Sequence, residues 1–406
     1  MSPAQRPSLP WLIIISGSLI AILSIGPRSA MGFFQIPLLT DTGWDRATFG
    51  LAMAIQNLAW GLGQPLFGAV ADKYGTGRVL VMSGLFYAAG LTLMALGHSP
   101  TTLYAGGGVL VGLGVAAGSF GIILSAFARN VTPEQRSFAF GIGTAAGSAG
   151  MFLFAPISQA LIAEVGWSDG LVWIGFMTLL IPALAWPLRG NAQSGSQKTA
   201  HSDQTARQAL AEAYGHKSYV LLTMGFFVCG FQVAFITAHF PAYLNDLGML
   251  APWPVIAMAL IGFFNIIGSL GAGYLGQRYS KRWILAYIYF GRSIAVTAFL
   301  LLPQNPVSVV IFSAVMGILW LSTVPPTNAL VAIMFGTRHL GLLGGLVFLS
   351  HQVGSFLGVY MGGVLYDRLG SYDLVWWFGV LLGIAAGLVH LPIRETGVAR
   401  LTPRTA

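Results

Sequence analysis

"GAVADKYGTGR", residues Gly68–Arg78, decides how this chain is read. Asp72, Lys73 and Arg78 interrupt two long apolar runs, and Gly68, Gly75 and Gly77 accompany them. Glycines and charges packed this closely mark a tight, hydrated turn between two apolar segments. A weaker copy, "GYLGQRYSKR" (Gly273–Arg282), follows about 205 residues later, again between apolar runs, with Gln277 where Asp72 stands. A turn repeated across half the chain implies two related halves.

The composition agrees with a membrane protein. Of 406 residues, 55% are hydrophobic and only 8% are charged, against roughly 25% charged in an ordinary soluble domain. A transmembrane helix needs about 20 mostly apolar residues. Twelve such spans are expected, at 11–40, 47–71, 78–97, 101–128, 135–164, 168–188, 218–245, 251–276, 282–302, 306–334, 339–366 and 372–391. The first is far longer than the ~7–15-residue apolar core of a cleavable signal peptide. The fold class is therefore an all-α membrane protein. Residues 1–188 form an amino-terminal six-helix bundle, 189–217 a flexible linker rich in Ser, Gln, Gly and Ala, and 218–406 a second six-helix bundle with a short tail. The 53 glycines suit close helix packing in lipid. A single cysteine, Cys229, excludes an intrachain disulfide.

Charge predicts the orientation. Of twenty lysines and arginines, sixteen fall in segments that are inside if both termini are cytoplasmic, and only Arg46 and Arg368 fall outside. That is a positive-inside pattern, so the net charge of +8 reflects topology and not nucleic-acid binding. Two arginines remain, Arg28 and Arg292, both within spans, whereas all twelve Asp and Glu residues lie in loops or at span ends.

The six-plus-six layout and the opening turn resemble the major facilitator superfamily, whose loop after span two carries a G-x-x-x-D-[RK]-x-G-x-[RK] signature. Gly68, Asp72, Lys73, Gly75 and Arg78 fit it, with Arg78 one position late. The resemblance implies two bundles with a site between them at the midplane. Within that superfamily, "GPRSAMGFF" at Gly26–Phe34 resembles the Pro-Lys-Ser segment of the monocarboxylate transporters and their bacterial oxalate–formate relatives, with arginine in place of the lysine that contacts carboxylate. Arg136, Gly147, Ser148, Ala155, Pro156 and Gln159 resemble that branch's span-five pattern. Its span-eight aspartate and arginine are replaced by Asn265 and Ser269. The resemblance thus implies an organic-anion substrate through Arg28 but not the branch's coupling acid. It also implies a multi-pass protein of the bacterial inner membrane.

Arg28 lies twelve residues before position 40, roughly 18 Å from that end of its span. An arginine at such depth costs at least ~2.5–3.5 kcal/mol and avoids lipid. Gly26-Pro27 removes a backbone donor and loosens the helix there. Arg28 is either tied to carbonyls or meets an anion, which a guanidinium binds bidentately when it is a carboxylate. Arg292 lies about 15 Å from either end of span nine and has the same two readings. His351 is mid-span, and histidine titrates nearest neutral pH, so it is the candidate proton carrier as well as a candidate binding residue. Gln56, Asn57, Ser119, Phe120, Gln232, His239 and Asn328 complete the candidate substrate path. Pro325 and Pro326, in "VPPTN", break span ten and join the signature turn as gating elements.

No phosphate-binding loop and no Cys/His metal spacing is present, so neither an ATP-driven pump nor a metalloenzyme is expected, and no cofactor. The expected function is secondary active transport of an organic anion, a mono- or dicarboxylate, by proton symport, in a monomer. Its partners are the anion, protons or a counter-anion, and the bilayer, with no nucleic acid. The alternatives are an exchanger or uniporter without proton coupling, and a drug-efflux carrier. The last is disfavoured because efflux of cations calls for core carboxylates.

Overall fold

The computed structural model of the chain describes residues 10–131, 133–189, 204–336 and 339–399, with the side chains of 72, 128 and 133–138 outside that description. The side chains of Asp72 and Arg136, residues 190–203 of the expected linker and both chain ends therefore lie outside the described residues.

The described residues are helical nearly throughout. The helices are α1 (Trp11–Ser29), α2 (Met31–Thr42), α3 (Arg46–Tyr74), α4 (Thr76–Leu96), α5 (Pro100–Leu103), α6 (Val111–Ala117), α7 (Phe120–Asn130), α8 (Pro133–Thr178) and α9 (Leu180–Leu184), with a π-helical turn at Tyr104–Leu110. Then follow α10 (Ala206–Gly215), α11 (Lys217–Asp246), α12 (Trp253–Arg278), α13 (Lys281–Leu301), α14 (Pro306–Leu319), α15 (Val324–Phe335), α16 (Leu340–Leu369) and α17 (Asp373–His390). Ten helical stretches among the described residues are long and apolar enough to cross a membrane. Two expected spans are not counted separately. The α3 helix has 29 residues but is too polar, and α8 runs over the fifth and sixth expected spans. Inside α8 the backbone turns at Gly166 (φ 84°, ψ 169°), a conformation that glycine adopts without strain.

Besides the one-residue interruption at Leu179 between α8 and α9, three expected spans are broken mid-way, and each of these breaks has a local cause. Pro27 removes a donor near the end of α1, and Ala30 separates α1 from α2. Gly118 and Ser119 separate α6 from α7. Trp320 to Thr323 separate α14 from α15, and Pro325 and Pro326 sit in the first turn of α15, where a missing N–H costs nothing. The linker also differs from its expectation. Its last third is α10, started by a capping box in which Thr205 and Gln208 bond each other's backbone.

Helices meet through small residues, as helices in lipid do. The α3 helix packs on α16, α8 on both α1 and α12, α2 on α11, and α11 on α16. At the α8–α12 crossing a Cβ on Gly262 would lie 2.7 Å from the Phe152 nitrogen, so only glycine permits that approach. Large apolar side chains such as Leu12, Trp173, Tyr287, Ile294 and Leu381 point outward. A belt of this size on the outer surface needs lipid around it.

Candidate functional site

Arg28 occupies the last turn of α1, beside the break at Ala30. The Ala30 N–H bonds back to Pro27 O at 3.1 Å, and the Ser29 hydroxyl donates to Gly26 O at 2.7 Å. The broken backbone is thus satisfied locally and leaves the guanidinium free for other partners. One arm donates to Asn57 Oδ1. Asn57 is itself fixed by its amide, which donates to Met53 O at 2.8 Å. The guanidinium carbon lies 4.6 Å from the centre of the Trp60 ring, within cation–π range. Arg28 Nε is buried and has no hydrogen-bond partner. The ion pairs found among the described residues, Arg46–Asp246 and Lys281–Glu395, do not involve Arg28. A cavity of about 10 Å³ abuts the guanidinium, lined by Met53, Gln56 and Asn57 on one side and by Ala234, Thr237 and Val359 on the other. That is room for one water.

Aromatic rings continue from Arg28 across to α16. Trp60 meets Phe348 edge to face at 5.2 Å. Phe348 lies parallel to the His351 imidazole, 5.8 Å away at 7°, and His351 lies 4.9 Å from Phe226 of α11. His351 Nδ1 faces Gln352 Oε1 at 3.0 Å. The Cys229 thiol also lies against this histidine. The Trp60 indole N–H and the Gln352 amide nitrogen are buried without partners. Trp60 was missed in the sequence. The available signal was helical spacing, since Trp60 lies three residues after Asn57 and four after Gln56 and so shares their face.

Other predicted residues are placed elsewhere. Gln56 borders the cavity, but its amide donates to Gly107 O at 2.7 Å, in the π-helical turn. Arg292 is fully buried, and its guanidinium donates to Leu319 O at 2.7 Å, to Trp320 O, and to Gln232 Oε1 at 3.4 Å. Those carbonyls end α14 at the break, so Arg292 neutralises the negative end of a half-helix. Gln232 donates in turn to Gly379 O at 2.9 Å. Both residues are therefore committed to the α14–α15 break and the α11–α17 contact. Asn328 is exposed on α15 and faces Gly344. Ser119, at the break before α7, is buried with an unpartnered hydroxyl, and the neighbouring Phe120 ring covers Gly147. Asn265 is buried and satisfied at both ends: its amide donates to Ser148 Oγ at 3.0 Å, and its oxygen accepts from Leu321 N at 3.0 Å and Ser269 Oγ at 3.1 Å.

The two ends of the bundle differ. At the Arg46 end a charged fastening joins the two halves of the sequence. Arg46 makes a two-pronged pair with Asp246, 2.7 Å on each arm, and donates to Tyr372 Oη at 2.7 Å. Its guanidinium also stacks 3.6 Å from the Tyr366 ring centre. Asp367 accepts from the Arg46 and Ala47 N–H groups, at 3.1 and 2.6 Å, at the start of α3. His239 lies just beneath: Nε2 donates to Val359 O at 2.8 Å, while Nδ1 faces Gln35 Nε2 at 3.2 Å and Tyr372 Oη at 3.3 Å. His239 is therefore part of this closure and not of the Arg28 cluster. The opposite end is marked by Gly75. A cavity of about 330 Å³ opens between α8, α12 and α15, lined by Thr144, Ser148, Ser269 and Gln277 among others. Gly68 has open space around it, Arg78 is exposed, and Lys73 rests 5.0 Å from the Tyr74 ring. Gly75 turns the chain with φ 91°.

Comparisons with known proteins agree with this architecture. A family-level match to the Major Facilitator Superfamily spans residues 17–359 and 250–406. The chain is 24% identical over 406 residues to an uncharacterised MFS-type transporter, YcxA, of Bacillus subtilis (strain 168), covering 98% of each chain. It is 23% identical to monocarboxylate transporter 13 of Rattus norvegicus, covering 89% of this chain and 83% of that one. Among solved structures, a bacterial homologue of the human lysosomal transporter Spinster, inward-facing and unoccupied, superposes with a TM-score of 0.75 over 95% of each chain at 14% identity. The chain belongs to the major facilitator superfamily, as a multi-pass, all-helical membrane transporter and not an enzyme.

Proposed function

We propose that this protein is a secondary transporter of an organic anion whose carboxylate binds Arg28. The observation that carries the reading is a guanidinium beside a helix break, held on one arm by neutral Asn57, with Nε unpartnered and no carboxylate among its described contacts. Such a group prefers a mobile anion to an empty cavity, because an unmet buried donor, especially a charged one, is costly. The names of the monocarboxylate relatives add support for the substrate class.

The transport cycle is alternating access between two six-helix halves, residues 1–188 and 218–406, joined by the 189–217 linker. Twelve crossings arise when α1–α2, α3, α4, α5–α7, α11, α12, α13, α14–α15, α16 and α17 count once each, and α8–α9 counts twice through the bend at Gly166. Both termini are cytoplasmic, in a bacterial inner membrane. On this orientation the Arg46 end is external and closed, and the Gly75 end opens to the cytoplasm. The Gly68–Arg78 turn then acts as the gate of the opposite closure.

The transport is coupled to protons through His351. All twelve carboxylates fall outside the middle of the spans, and His351 stands at the end of the ring series that starts at Arg28. Anion exchange without protons is the second reading, and it is favoured by the neutral, fully bonded Asn265. Purified protein in proteoliposomes tests both. Uptake of a carboxylic acid driven by an inwardly directed proton gradient, abolished in Arg28→Ala, supports symport. Uptake that requires internal anion and ignores the gradient supports exchange. Transport unaffected by Arg28→Ala refutes the anion site itself.

A further inference from the structure

The cluster around Arg28 offers more than a carboxylate needs. Three buried donors lack partners: Arg28 Nε, the Trp60 indole N–H and the Gln352 amide nitrogen. They lie on contacting elements, since the guanidinium covers the Trp60 ring, Trp60 touches Phe348, and a Cβ on Gly61 would lie 2.8 Å from the Gln352 side chain. Buried polar groups are nearly always hydrogen-bonded, so three unmet donors on contacting helices call for acceptors. A carboxylate supplies the guanidinium; Trp60 and Gln352 require a further acceptor on the same ligand. Aromatic rings run between the helices that carry these donors. Trp60, Phe348 and His351 follow one another at 5.2 and 5.8 Å, with Trp60 and Phe348 only half-buried. Aromatic faces and edges select planar rings over saturated bodies of equal size.

Resting on the carboxylate reading above, we propose that the substrate is an aromatic carboxylic acid with an acceptor group on its ring. Its carboxylate binds Arg28, its ring lies along the Trp60–Phe348–His351 strip, and its ring substituent accepts from Trp60 and Gln352. In the present conformation the guanidinium itself covers the Trp60 face. An arriving carboxylate draws it away, and α3 and α16 part to admit the ring.

The test is calorimetric binding to the full-length protein in detergent, using 4-hydroxybenzoate, benzoate, cyclohexanecarboxylate and lactate. The expected order is 4-hydroxybenzoate tightest, then benzoate, with the saturated acid weaker than benzoate by about 3- to 10-fold, the range of aromatic pair energies. Trp60→Phe keeps a ring but removes the indole donor. It should erase most of the 4-hydroxybenzoate advantage over benzoate, about 5-fold for one hydrogen bond. Phe348→Leu should lower benzoate affinity and spare cyclohexanecarboxylate, whose retained binding also reports a folded protein. If cyclohexanecarboxylate and lactate bind as tightly as the aromatic acids, the aromatic proposal fails while the carboxylate site stands. If the variants weaken all acids equally, the rings are packing alone and the proposal fails. If none of the acids binds wild type, both the proposal and the carboxylate reading fall.

Discussion

Replacing Arg46 by alanine should open the closed end of the protein. The guanidinium makes two 2.7 Å bonds to Asp246, one to Tyr372, and a stacking contact with Tyr366. Breaking a fully buried pair costs ~3–5 kcal/mol, whereas exposed pairs are worth ~0–1 kcal/mol. Here the side chains are 10% and 29% exposed, and the Asp367 bonds to the α3 backbone survive the substitution. A loss of about 2–3 kcal/mol follows. At about 1.4 kcal/mol per tenfold, that shifts the balance of closed and open states some 30- to 150-fold. The assay is a spin-label distance between positions 42 and 247, with Cys229 replaced so that only the introduced cysteines are labelled. Wild type should show one short distance, and Arg46→Ala should add a longer population. Asp246→Asn should do the same to a lesser degree, because Tyr372 still holds the arginine. An unchanged distance distribution in both variants would refute the assignment of this cluster as a latch.

Arg292→Met should lower the melting temperature markedly, since the Leu319 and Trp320 carbonyls lose their donor at ~1–3 kcal/mol per unmet group, while Kd for a bound acid stays within about twofold; a selective loss of binding would return Arg292 to the substrate path. Asn265→Asp puts an acceptor where the amide now donates to Ser148 Oγ, so it should reduce anion binding at neutral pH and restore it in acid, where the carboxyl is protonated; equal binding at both pH values would separate Asn265 from the anion's cavity. His351→Gln retains hydrogen bonding but cannot carry a proton, so uptake driven by a proton gradient should be lost while binding persists; gradient-driven uptake identical to wild type would move the proton elsewhere.

The breaks in the spans were legible where chemistry forces them. Gly26-Pro27 announces the α1–α2 break beside Arg28, and "VPPTN" announces the break in span ten, although Pro325 and Pro326 start α15 and do not end α14. Gly75 was legible as a turn because its φ of 91° suits only glycine. What was not legible is which partner each buried polar group takes. Arg28 and Arg292 look alike in sequence, both being lone arginines in mid-span. Only the fold shows one beside neutral Asn57 and an aromatic ring and the other bonded to the carbonyls of a broken helix. The closed end was invisible for a related reason. Arg46, Asp246 and the neighbours Asp367 and Tyr372 come from three distant parts of the chain, and each reads as an ordinary loop charge or interfacial tyrosine until the helices bring them together. The turn inside α8 was legible as well: the spans expected at 135–164 and 168–188 leave 165–167 between them, and Gly166 turns the backbone there.

The most direct test crosses ligand charge with Arg28. Binding of benzoate and of its uncharged isostere benzamide is measured by calorimetry to wild type and to Arg28→Ala, with thermal melting as the check on folding. A hydrogen bond to a charged group contributes ~1.5–3 kcal/mol, so benzoate should lose about 10- to 150-fold in affinity on loss of the guanidinium while benzamide changes little. Equal losses for the acid and the amide, or undiminished benzoate binding in Arg28→Ala, would contradict a carboxylate held by Arg28.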